Sequence, residues 1–116
     1  MVEDQADLLE LAKNSLEEYG YKVLTAWTPG EAILLCGEYT EEIDLLLTDV
    51  IMPVMNGKEL KKRIDKLKPG IKTIFMSGYT ANVIAHRGIL EEGIEFIQKP
   101  FTPRALAKKV HDVLQK

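Results

Sequence analysis

A chain of 116 residues with 46% apolar and 28% charged side chains has the make-up of a soluble globular domain, which excludes a disordered or fibrous chain. Its formal net charge of −3 argues against general affinity for nucleic acid. The length suits one domain, 1–116, and a chain of this size buries roughly two-thirds of its unfolded surface without a metal or disulfide staple. The single Cys36 fits a reducing compartment such as the cytoplasm and reads as a buried apolar residue. Apolar runs such as Ala32 to Cys36 reach about five residues, against the roughly 18 needed to span a bilayer. Glu3, Asp4 and Asp7 stand where a secretory leader carries its cationic and apolar segments.

In chain order, residues 5–19 place Leu9, Ala12, Leu16 and Tyr19 on one helical face, and Gly20 stops the helix. Tyr21 to Trp27 predicts a strand from its β-branched and aromatic content, with Trp27 packing at its end. Thr28-Pro29 supplies an N-cap hydroxyl and a first-turn proline for a helix to about Tyr39. Asp44 to Thr48 is nearly all apolar, as strands covered on both faces are. A loop from Asp49 to Gly57 leads to a helix over 58–67, which Pro69-Gly70 ends. Ile71 to Ser77 predicts a strand, Asn82 to about Glu92 a helix, and Ile94 to Gln98 a last strand. Thr102-Pro103 repeats the cap device before a final helix to about Leu114. Strands alternating with helices at this spacing imply right-handed βαβ units and a parallel sheet with helices on both faces.

In open sheets of this kind, function gathers at the carboxyl ends of the strands. Glu3, Asp4 and Asp49 fall there and offer three carboxylates, which repel one another unless a cation joins them. An all-oxygen set with open positions suits Mg²⁺. Ser77 ends another strand with a hydroxyl, and Lys99, before Pro100, ends the last with an ammonium. A carboxylate nucleophile, a divalent metal, a hydroxyl and a lysine form a set suited to phosphoryl transfer.

The stretches VED (2–4), DLLLTDVIMPVMNG (44–57), IFMSGY (74–79) and FIQKPF (96–101) resemble, in order and spacing, the receiver domain of two-component response regulators. The resemblance spans essentially the whole chain, and SGY with QKPFTP is similar to receivers within hybrid sensor histidine kinases. It implies a flavodoxin-like, doubly wound, five-stranded parallel sheet in the order 2-1-3-4-5 with five helices. It implies that Asp49 is the phosphoacceptor. Mg²⁺ would then be bound by Asp4, Asp49 and the backbone carbonyl of Ile51, with Glu3 acting through water. Ser77 would hydrogen-bond the phosphoryl group, and Lys99 would pair with Asp49 and then with that group. Phe96 falls at the aromatic switch position and reads as a core residue. The Lys99-Pro100 bond is commonly cis in the family.

The partner implied is a histidine kinase or a histidine phosphotransfer domain. Phosphorylation then shifts the surface formed by the fourth helix, last strand and last helix, a face also suited to a homodimer. Neither direct nucleic-acid binding nor membrane insertion is expected. His86 and His111 read as surface residues, and the basic run 58–72 as a solvated helix face. Ile51 and Tyr79, both bulky, are expected to shield the acyl phosphate from water.

One departure bears on the site. A strand normally needs about four to six residues, and only Met1-Val2 precede Glu3. The first strand is therefore expected as a stub, completed by residues upstream of Met1 or by a neighbouring chain. The alternative reading is a phosphorylation-independent interaction module with a disabled metal site. A flavin carrier on the same fold would need a hydroxyl- and glycine-rich phosphate cradle that this sequence lacks.

Overall fold

The computed structural model describes residues 1–3, 5–50, 55–78 and 95–115. In chain order they form α1 (Ala6–Glu18), α2 (Pro29–Glu38), β1 (Leu45–Asp49), α3 (Gly57–Leu67), β2 (Lys72–Ser77), β3 (Glu95–Gln98) and α4 (Pro103–Leu114). The predicted helix over 82–92 lies outside the described residues, as do Asp4, Ile51, Tyr79 and His86.

The three strands make a parallel sheet in the order β1-β2-β3. Leu45 pairs with Lys72 and Asp49 with Met76; further along, Phe75 pairs with Phe96 and Ser77 with Gln98. Alternation along β1 sends successive side chains to opposite faces. Leu47 packs with Ala12 and Leu16 of α1 and with Leu106 and Val110 of α4. Leu46 packs instead with Cys36 of α2 and with Leu60 and Ile64 of α3. Helices thus cover both faces, which is why β1 and β2 read as continuous apolar runs.

The helix starts follow from short-range chemistry. Glu31 N–H donates to Thr28 Oγ1 at 3.1 Å, with Pro29 opening α2, and Ala105 N–H donates to Thr102 Oγ1 at 3.0 Å, with Pro103 opening α4. Asn56 caps α3 in the same way, accepting from Glu59 N–H at 2.9 Å. At the far end of α4, Lys72 Nζ donates to the carbonyls of Val113 and Leu114 at 3.2 and 3.3 Å.

Two sequence expectations need correction. Residues 21–27 do not form a strand; Ala26 alone makes a bridge. Their ladder partner is Val2, which makes isolated parallel bridges to Ala26 on one side and Thr48 on the other. A partner this short cannot hold a run of paired residues, so propensity alone does not make a strand. Trp27 is not packed but 58% exposed, next to the Thr28 cap that opens α2. Cys36 is buried and His111 exposed, as expected. The basic run is partly structural: Lys61 pairs with Asp65 at 2.8 Å, and Lys68 Nζ donates to the carbonyls of Tyr39 and Glu41.

Candidate functional site

The carboxyl ends of the strands bring three sequence-distant charges together. Glu3 follows the Val2 bridge, and its N–H donates to the Ala26 carbonyl at 3.1 Å. Asp49 is the last residue of β1; its N–H donates to the Val2 carbonyl at 3.3 Å, which ties it to the same segment. Lys99 follows β3, its N–H donating to the Ser77 carbonyl at 2.7 Å, and the Lys99-Pro100 bond is cis. These backbone links converge on one point. Lys99 Nζ lies 2.7 Å from Glu3 Oε2 and 2.5 Å from Asp49 Oδ1.

The cluster is nearly closed to solvent: the side chains of Glu3, Asp49 and Lys99 are 0%, 9% and 20% exposed. Two carboxylates share one ammonium, so the site carries one uncompensated negative charge where solvation is poor. Burial pushes the Asp49 carboxyl up to about 7; Lys99 opposes this, and the adjacent Glu3 adds to it. At Glu3 burial also acts upward, but hydrogen bonds from Lys99 and Gln5 N–H hold its carboxyl below the usual range. For Lys99 burial acts downward, and the two carboxylates outweigh it, raising the ammonium's pKa. Glu3 and Lys99 are therefore the settled ion pair, and Asp49 is the carboxyl whose ionised form the site disfavours.

The loop after β1 is held tightly. Val50 N–H donates to the Met76 carbonyl at 3.0 Å and Gly57 N–H to the Val50 carbonyl at 2.7 Å. A Cβ on Gly57 would run into the Asp49 carbonyl oxygen and the Phe75 ring. Only glycine lets α3 start this close to the back of Asp49. The sequence reading took Gly57 as loop punctuation; its signal was a glycine directly after the cap residue Asn56, at a helix start where another residue type would serve as well. The direct Glu3–Lys99 pair was likewise unforeseen, since nothing local links residues 96 positions apart.

Ser77, buried, ends β2 on the strand next to Asp49. Phe96 sits opposite Phe75 in the ladder and is half-buried, not the fully buried core residue expected, because β3 is the last strand of the described sheet. Asp4 and Ile51 lie outside the described residues. Among the described residues no three His, Cys, Asp or Glu side chains cluster as a metal site; Glu3 and Asp49 are the acidic pair there. No described helix is long and apolar enough to cross a membrane.

Comparison with known proteins agrees with this geometry. The chain is 34% identical over 116 residues to the sensor kinase CckA of Brucella abortus, covering all of this chain and 12% of that protein. It is 28% identical over 114 residues to the response regulator SaeR of Staphylococcus aureus, covering 98% of this chain and 49% of that protein. The chain therefore spans half or less of the length of these curated relatives. The crystal structure of the receiver domain from the hybrid histidine kinase CckA superposes with a TM-score of 0.82 at 34% identity, covering 98% of this chain and 95% of that one. The flavodoxin-like architecture with a parallel sheet is thus shared with a solved receiver. A profile of the response regulator receiver domain matches residues 1–111, so the chain belongs to that family of two-component signalling domains.

Proposed function

We propose that this domain accepts a phosphoryl group on Asp49 from a phosphohistidine of a histidine kinase or phosphotransfer protein, and that the modification switches its surface. The observation that carries this reading is the buried Asp49 carboxylate, held against Lys99 yet left with excess negative charge. An Asp49 Oδ attacks phosphorus while the phosphorus–nitrogen bond of the donor breaks and the imidazole leaves with the bonding pair. Lys99 stays beside the reacting oxygens and offsets the charge they gather. The Glu3 pair holds Lys99 in that position. In this reading Ser77, buried at the end of β2, donates its hydroxyl to a phosphoryl oxygen and draws in the chain that follows it. Phe96, half-buried and bordering that movement, is the ring that would follow it inward.

The donor chemistry fits a hard divalent cation such as Mg²⁺: Glu3 and Asp49 present carboxylates, and Asp4 and the Ile51 carbonyl are the further ligands of this reading. When bound, the cation would neutralise phosphoryl oxygens at the moment of transfer. The isolated bridges of Val2 support the five-strand order 2-1-3-4-5, with the segment carrying Ala26 outside it. A cytoplasmic location and a homodimer through the fourth helix, last strand and last helix complete the proposal.

Incubation with a small acyl phosphate and Mg²⁺, read by intact mass, tests it. One added phosphoryl group in the wild-type chain, absent in Asp49→Ala, is expected. Equal labelling of both chains, or none in either, would overturn it.

A further inference from the structure

The formal charge of −3 is the balance of two unlike halves. Residues 1–44 carry eleven Asp or Glu against two Lys, and residues 45–116 carry seven against thirteen Lys or Arg. The halves meet on one face of the sheet, where α2 and α3 lie side by side. Ala32 and Cys36 of α2 share a buried cluster with Leu60 and Ile64 of α3. Leu34, on the opposite side of α2 from Ala32 and Cys36, points away from the sheet and is 66% exposed. Glu31 and Glu38, one turn to either side of it, are exposed with it. On α3 the exposed positions are Lys62, Arg63 and Lys66, with Glu59 in the first turn and Leu67 in the last.

These outward charges are left over from the pairing seen elsewhere. α1, α3 and α4 each neutralise charge along their own length, through Lys13–Glu17, Lys61–Asp65 and Lys108–Asp112. α2 contains no cation with which to do so. Among the described residues, Glu31 and Glu38 hold no ion pair, and neither do Lys62, Arg63 and Lys66. One face thus presents an acidic stripe with an apolar centre beside a basic stripe.

We propose that this α2–α3 face docks a second copy of the chain about a two-fold axis parallel to the helices. Both helices lead into strands of one parallel sheet, so they run in the same direction. A two-fold axis along them lays α2 of each copy on α3 of the other; an axis across them would set acid on acid and base on base. In the first arrangement Glu31 and Glu38 meet the partner's cations, and Leu34 lies on the aliphatic stems of those lysines. A nucleic acid or an anionic membrane would meet the carboxylates of α2 together with the cations of α3, so a surface carrying both signs fits better. Helices of 10 and 11 residues are about 15 Å long and lie about 10 Å apart, less than the roughly 800 Å² per partner of a standard interface. The dimer is therefore weak, reversible and sensitive to salt. It is independent of the phosphoryl reading, because neither stripe includes Glu3, Asp49, Ser77 or Lys99, and it uses a different face from the last strand and last helix.

Analytical ultracentrifugation of the unphosphorylated chain, from about 10 μM to 1 mM, tests it at about 20 mM and 500 mM salt. Self-association is expected at low salt, weakened at least about tenfold at high salt. Lys62→Glu with Lys66→Glu, and separately Glu31→Lys with Glu38→Lys, should each weaken it by at least about tenfold, and an equal mixture of the two variants should restore it. Leu34→Ser, which changes no charge, should weaken both the wild-type dimer and the restored pair. Matching thermal melts show that the variants are folded. A wild-type chain that stays monomeric at low salt would overturn the proposal. So would charge variants that associate like wild type, a mixture that restores nothing, or association indifferent to Leu34→Ser. Binding of duplex DNA by the monomer, lost with Lys62→Glu and Lys66→Glu, would overturn it in favour of a nucleic-acid surface.

Discussion

Asp49→Asn should make the protein more stable, not less, in neutral and alkaline buffer. The substitution keeps the shape of a side chain that is 9% exposed and removes the charge that Glu3 and burial oppose. The Asp49 carboxyl moves from 3.8 to about 7 on folding. At about 1.4 kcal/mol per pKa unit, ionised Asp49 costs the fold roughly 2–4 kcal/mol relative to its neutral form. The folded state binds the extra proton between these values, so this contribution is absent below about pH 4 and reaches its full size above about pH 7. For a chain of 116 residues that amounts to a Tm gain of roughly 5–15 °C at pH 8. Melts followed by circular dichroism at pH 8 and pH 5, without divalent metal, measure it. The gain should shrink at pH 5, where wild-type Asp49 already holds its proton. A destabilised variant, or a gain of the same size at both pH values, would refute the electrostatic reasoning.

Lys99→Met leaves Glu3 and Asp49 facing each other without their cation; a loss of about 3 kcal/mol at pH 8, easing as the pH falls and the carboxylates protonate, is expected from denaturant titrations. Gly57→Ala drives a Cβ into the Asp49 carbonyl and the Phe75 ring, so unfolding midpoints should drop by the equivalent of about 1–3 kcal/mol, with slower labelling of Asp49.

Much of this was legible from the residues. The proline-led caps at Thr28 and Thr102 set helix starts within a residue, because capping chemistry is local. The apolar run ending at Asp49 announced a strand covered on both faces, and Asp49 proved to be its last residue. Residues 21–27 show where local signals fail: their β propensity is high, yet strand formation depends on a partner only Met1–Glu3 long. The Asn56 cap was hidden inside a stretch read as loop. The Glu3–Lys99 pair depends on three strands stacking in register, which no single segment encodes. Trp27 was misread because an aromatic at the end of an apolar run says nothing of what lies above it.

The central claim is that Asp49 Oδ forms the acyl phosphate. Borohydride reduction of the chain after reaction with a small phosphodonor and Mg²⁺ converts a phosphorylated aspartate to homoserine, which peptide mass spectrometry locates. The account predicts homoserine at position 49 alone, and its loss when Lys99→Met is labelled under the same conditions. Homoserine at another acidic position, or undiminished labelling without Lys99, would contradict it.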